Sequence, residues 1–283
     1  MFTSPRSLCY RSVSRLGVGL ICLAELLAMA PAQAVFFDPP GNQIPSSIGG
    51  NSRRGGCAID EVAAPSLPAQ ADALVTMLPI VPDPSRVVAL TTQASAPLWV
   101  YIPPTRAQSA EFSLFDNVTQ SFVYSGRFPI EASGIYQINL PANIEMKADQ
   151  PNAPQDYTWF IDLVCEPNNP SANLSHLGTL KRVNPASLSG DLTVSLNQAA
   201  NNLDRATVYG SQGVWLDMVA AIAAERATVN PSQRDAFNAA WSSVMEVALP
   251  MSEREDVDRN QQLKVLLEAN IFTAEMTEIS LDD

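Results

Sequence analysis

The chain holds one histidine in 283 residues, His176, and that scarcity removes most metal-centred chemistry at the outset. Catalytic zinc sites draw on two or three histidines, or on cysteines beside them. Basic residues are also scarce: 17 Lys and Arg stand against 29 Asp and Glu, a formal charge of −12. Such a chain repels phosphate backbones and anionic lipid surfaces, so no nucleic-acid partner is expected. Only the N-terminus carries a long apolar run, so no membrane span is expected. No Gly-x-Ser-x-Gly elbow occurs, and no phosphate loop.

The apolar run reads as a secretory signal peptide over residues 1–34. Arg6, Arg11 and Arg15 form its positive end, and Leu16 to Met29 is apolar apart from Glu25. Ala32-Gln33-Ala34 is the small-x-small cleavage pattern. Ile21 before Cys22 argues against lipidation. The expected location is therefore periplasmic or extracellular. Removing three arginines and one glutamate takes the charge from −12 to −14.

Cys9 and Cys22 leave with the leader, and Cys57 and Cys165 remain. An even count in an exported chain reads as a disulfide, with two free thiols as the alternative. The loop it closes would contribute about 4–5 kcal/mol in the chain-entropy account.

Residues 35–70 form a Pro/Gly/Ser-rich arm. Its Gly49-Gly50-Asn51-Ser52-Arg53-Arg54-Gly55-Gly56 stretch has no strand before it and no Lys-Ser/Thr after it. A flexible arm is the reading, with a basic docking patch as the alternative.

Residues 71–184 carry the β pattern. Expected strands are Ala73–Met77, Arg86–Thr91, Leu98–Ile102, Ala110–Phe115, Gln120–Phe128, Ile135–Leu140, Tyr157–Cys165 and Leu177–Val183, with Pro, Gly, Asn or Asp at the breaks. In Tyr157–Cys165, Tyr157, Trp159, Ile161, Leu163 and Cys165 share one face. Pro97 and Pro103-Pro104 bracket Leu98–Ile102 and favour an edge or a short strand there.

Residues 185–283 change to a helical period. Expected helices cover Leu188–Ala200, Leu203–Gly210, Val214–Thr228, a segment capped by Asn230-Pro231 and ending before Pro250, and Gln261–Ile271. Gly213 is the predicted stop between the second and third. Tyr209, Gly213, Trp215 and Met218 are spaced in a way similar to one tetratricopeptide unit, although such arrays need about three. The predicted fold class is α+β: an antiparallel, Ig-like β-sandwich of seven or eight short strands, then a small helical domain of four or five helices with one tetratricopeptide-like hairpin and an acidic tail.

These landmarks together resemble a known group. They are the leader, the Gly/Arg arm, Cys57, Leu98-Trp99-Val100-Tyr101-Ile102-Pro103, Ala110–Leu114, Gly134–Pro141, Tyr157–Trp159 through Cys165-Glu166-Pro167, and Ala206–Tyr209 through Gly213–Asp217. The chain resembles the exported cyanobacterial family catalogued only as a domain of unknown function (family 928). The resemblance implies location and architecture, and it brings no catalytic residues. Glu166 and Met218 depart from the Asp and Ala usual in that family.

No catalytic, cofactor or metal residues are assigned. His176 reads as an exposed or hydrogen-bonded structural residue. Asp156 and Asp162 stand about 20 Å apart on an extended strand, too far for paired-carboxylate chemistry. Glu255, Asp256 and Asp258 lack the spacing of a calcium loop and read as a solvated connector. Trp99, Tyr101, Tyr124, Tyr136 and Trp159 would stack a sugar only on an exposed plane, and their strand positions favour a core. Trp215 and Trp241 sit on apolar helix stripes and are expected to hold the helices to the sandwich. The expected function is a non-enzymatic, exported protein- or peptide-binding or assembly module of the cell envelope. A carbohydrate- or envelope-polymer-binding module is the alternative. The oligomeric state is not legible.

Overall fold

A computed structural model describes residues 35–38, 77–82, 88–226, 229, 231–249 and 259–280. The leader, most of the arm with Cys57, most of the Ala73–Met77 strand, and Glu255, Asp256 and Asp258 lie outside the described residues.

The sheets are built from β1 (Leu78–Pro79), β2 (Ala89–Thr91), β3 (Leu98–Ile102), β4 (Ser109–Asp116), β5 (Ser121–Pro129), β6 (Gly134–Ile138), β7 (Ala148–Asp149), β8 (Tyr157–Leu163), β9 (Leu174–Val183), β10 (Ile271–Thr273) and β11 (Thr277–Glu278). The helices are α1 (Leu192–Gln198), α2 (Asn202–Ser211), α3 (Trp215–Arg226), α4 (Arg234–Ala248) and α5 (Arg259–Glu268). The fold class is α+β, with two sheets.

Sheet I has the order β1-β3-β6-β10. Sheet II runs β11-β5-β4-β8-β9-β2, and β7 also pairs with β9. β4 and β8 are its inner strands, and both alternate buried with half-buried residues, as period-2 patterning dictates. Tyr157, Trp159, Ile161 and Leu163 point inward, as expected. β3 is buried throughout because it has cover on both faces. Val100 lies in register with Tyr136, whose ring meets Phe128 of sheet II. Trp99, one residue earlier, lines a cleft together with Ala220, Ala223 and Ala224 of α3. β3 is short, as its prolines predict, but it lies between β1 and β6.

Three pairings correct the antiparallel expectation. β2 with β9, β7 with β9 and β6 with β10 are parallel. Parallel neighbours need long crossovers. The β6–β10 crossover contains β7 to β9 and all five helices, so no local pattern announces it. The last helix ends at Glu268, and Ile271-Phe272-Thr273 forms β10 where a helix through Ile271 was expected. β-branched and aromatic side chains suit that half-buried edge. The Asn230-Pro231 cap is also corrected. Residues 231–233 form a turn and α4 begins at Arg234, because proline's fixed φ serves a turn as well as a first helical position.

α1 begins at an Asp191 cap whose carboxylate accepts the Val194 N–H. α2 and α3 form a helical hairpin, and Gly213 closes it at φ 70°, where a side chain would be strained. Trp215 donates its indole N–H to the Ile80 carbonyl at 2.9 Å, tying α3 to the chain after β1. Trp241 is buried and stacks on Phe237.

The β4–β5 turn is organised by Asp116, whose Oδ1 accepts the N–H groups of Val118 and Thr119 and the Gln155 amide. Burial works to raise its pKa. The hydrogen bonds from Thr119, Gln155 and Val118 outweigh that and hold the carboxyl below its ordinary range. A carboxyl depressed in the folded state stabilises above its unfolded pKa of about 4, and that contribution is lost as pH falls through the folded value. Urea midpoints are therefore expected to decline from about pH 5 downward, and Asp116→Asn to flatten the decline. Equal slopes for the two chains would contradict this.

Candidate functional site

The residues nominated from sequence do not converge. His176 lies on β9 in register with Ile161, so its ring enters the inner face of sheet II. Burial lowers its pKa, and Nε2 has no hydrogen-bond partner. It is thus neither exposed nor hydrogen-bonded at Nε2. Ser175 and Asp162 are hydrogen-bonded to each other on the opposite face. The pleat therefore separates the only histidine from its serine and carboxylate neighbours.

Asp156 accepts the Asn117 amide at 3.0 Å near the start of β8. Asp162 sits toward the other end, opposite Glu111. Burial raises the Asp162 pKa, with Ser175 opposing and the Glu111 charge adding to the rise. The two aspartates do not form a pair. Among the described residues no group of three or more His, Cys, Asp or Glu is placed to hold a metal ion. No described helix is long and apolar enough to cross a membrane.

Trp99, Tyr101, Tyr124, Tyr136 and Trp159 are each exposed by only 1–3%. They are core residues. Tyr136 shows what that position requires: its hydroxyl accepts the N–H groups of Glu131 and Ala132 and donates to the Ala132 carbonyl at 2.8 Å.

Other aromatic residues reach the surface: Phe122, which is exposed, and Phe115 and Phe160, which are half-buried, share the outer face of sheet II. Phe122 meets Phe115 at 5.1 Å and 75°, and Phe160 at 6.3 Å and 56°. Phe122 is 46% exposed, and Val118 in the adjoining turn is 55% exposed. A β-bulge builds this cluster. Leu114 pairs with Tyr124, but Phe115 pairs with Phe122, so Val123 is an extra residue. Without it, strict alternation from the inward Tyr124 would send Phe122 into the core. The bulge turns it outward. Beside the cluster, Asp162 stands on the same face, as do Glu111 and Arg127, joined by an Nε–Oε1 bond of 3.0 Å.

Sequence reading missed this cluster because period 2 assigns Phe122 to the wrong face. Phe160, on the second face of Tyr157–Cys165, was the one visible signal.

Two clefts lie elsewhere. One of about 430 Å³ is bounded by Trp99, Gln137, Arg226 and Asn270, between α3 and sheet I. Another of about 670 Å³ follows β11 along Arg127 and Pro129.

The profile of the family described as Domain of Unknown Function (DUF928) matches residues 48–257. The chain belongs to that family. The DUF928 span takes in β1 to β9 and α1 to α4, including the bulge and the phenylalanine cluster. Val35–Asp38, α5, β10 and β11 fall outside it. No curated protein and no solved structure matches the chain.

Proposed function

We propose that this DUF928 chain is an exported, non-enzymatic binding module of the cell envelope, and that it holds a protein partner on the outer face of sheet II. The observation that carries the reading is the bulge at Val123, which turns Phe122 out beside Phe115 and Phe160. A bulge disrupts pairing locally, and bulges concentrate where a side chain must be re-aimed. Exposed aromatic clusters mark interaction surfaces. The partner is an apolar protein segment with basic flanks. Asp162 stands beside the cluster next to the Glu111–Arg127 ion pair, and the chain's acidic excess would steer such a partner toward it. The rings of the cluster share no plane, so they favour an interdigitating protein side chain over a flat sugar.

Export rests on the leader over residues 1–34. A Cys57–Cys165 disulfide belongs to the same reading, since Cys165 lies two residues beyond β8 and would anchor the arm there. Tyr136 folding its hydroxyl back on the preceding turn is similar to the tyrosine corner of Ig-like sandwiches and supports that finer description.

The test places a photo-crosslinking residue at Val118 and compares capture from the exported fraction with and without Phe122→Asp. The single change is expected to cut specific capture at least ten-fold while far-UV circular dichroism stays unchanged, as for a central interface aromatic. Equal capture by both chains would remove the phenylalanine face from the binding site.

A further inference from the structure

Val35–Asp38 crosses the helical layer in extended form, with side chains alternating in and out. Val35 is 4% exposed, Phe36 73%, Phe37 is half-buried and Asp38 is exposed. Ser243 Oγ donates to the Val35 carbonyl at 3.0 Å, and Asp38 N–H donates to the Gly210 carbonyl at 3.1 Å. The Phe37 ring stands edge-on to Trp215 at 4.8 Å and 81°. Gly210 makes the approach possible, because a Cβ there would lie 2.5 Å from the Phe36 carbonyl oxygen. A groove of about 360 Å³ stays open beside the seated segment, bounded by Val35, Phe36 and Phe37 together with Val244, Glu246 and Arg259. Ordering four residues costs roughly 1–2 kcal/mol each in backbone entropy, so the segment stays only where contacts offset it.

Val35 directly follows the Ala32-Gln33-Ala34 pattern expected to end the leader. We infer that this groove is the receptor for the chain's own processed N-terminus. Hydrolysis of the Ala34–Val35 bond by a leader peptidase adds one water, leaving a carboxylate on Ala34 and an ammonium on Val35. That ammonium is accepted by the Glu246 carboxylate, whose Oε1 also accepts the Ser242 hydroxyl at 3.1 Å. Glu246 is the acid in the groove lining and is exposed, so the pairing is made at the solvent edge of the groove. Arg259, the cation in the lining, is directed to the Glu246 and Leu249 carbonyls. The cut rests on the export reading, whereas the docking stands on the geometry of residues 35–38.

N-terminal sequencing of the exported protein is expected to begin at Val35. A different start overturns the processing half of the inference, and a protein that is never exported overturns the reading beneath it. Docking is tested separately by thermal unfolding of purified chains. A chain starting at Val35 is expected to melt about 1–3 °C above one with Ser-Gly placed before Val35. Glu246→Gln should erase that difference. Gly210→Ala supplies a second test, because a Cβ there meets the Phe36 carbonyl oxygen at 2.5 Å and Met218 Sδ at 2.9 Å, and only the first contact leaves with the segment. It is expected to lower the midpoint by clearly more when Val35–Asp38 is present than when those residues are removed. Equal midpoints for the free and extended starts would remove the ammonium pairing, and a Gly210→Ala effect of equal size in both backgrounds would remove the docking.

Discussion

Asp217→Ala is expected to cost about 3–5 kcal/mol and to lower the thermal midpoint by about 10 °C. Asp217 is 1% exposed in the first turn of α3. Its Oδ2 accepts the Thr91 hydroxyl at 2.6 Å and the Thr92 N–H at 3.1 Å. Its Oδ1 accepts the Thr92 hydroxyl at 2.7 Å and the Gln93 amide at 3.3 Å. One carboxylate thus holds the chain after β2 against the helical layer. Alanine leaves all four donors without this acceptor and opens a void, and buried donors left without acceptors are more costly than the mean hydrogen bond suggests. The helix N-terminus adds a favourable field for the negative charge. Asp217→Asn keeps the shape and one acceptor oxygen, so its cost should be about half that of alanine. Urea unfolding of the three chains measures the order, and an asparagine variant as unstable as alanine would show that shape plays no part.

Gly178→Val is expected to cost about 3 kcal/mol, at the upper end for overpacking. Trp159 and Gly178 are direct partners across β8 and β9. A Cβ at Gly178 would lie 2.4 Å from Trp159 Cζ2 and 2.7 Å from Cε2. The indole is fully buried and has nowhere to retreat. Near-UV circular dichroism should therefore weaken with stability. Trp159→Leu in the Gly178→Val background should recover at least about 1 kcal/mol relative to the sum of the two single changes, because contacting residues couple. Strict additivity would mean that the indole does not meet the new side chain.

Both residues show where sequence reading ends. Tyr157–Cys165 displayed its inward face by alternation alone, and Trp159 lies where that pattern put it. Its need for glycine on the next strand depends on register, which period 2 does not supply. Asp217 entered the sequence reading only as the end of the Gly213–Asp217 landmark. Its partners lie 124 to 126 residues earlier, beyond the reach of any local pattern. The helix faces were legible through Trp215, Met218, Phe237 and Trp241, all buried as spacing predicts. β10 and β11 were not, because two or three residues are too few to show a period. The phenylalanine face was hidden by one inserted residue, Val123, which reverses the parity that plain alternation from Tyr124 would give.

The parallel pairing of β6 with β10 bears on the order in which the chain acquires structure. Ile135 meets Ile271, so sheet I lacks its last strand until nearly the whole chain is available. Contacts between such distant segments carry a loop-closure cost before they contribute, and they slow folding. β4 and β5 close through a short turn and can pair early, whereas sheet I must wait. Sheet I is therefore the part of this fold that stays open longest, and its closure can be followed separately from that of the β4–β5 hairpin.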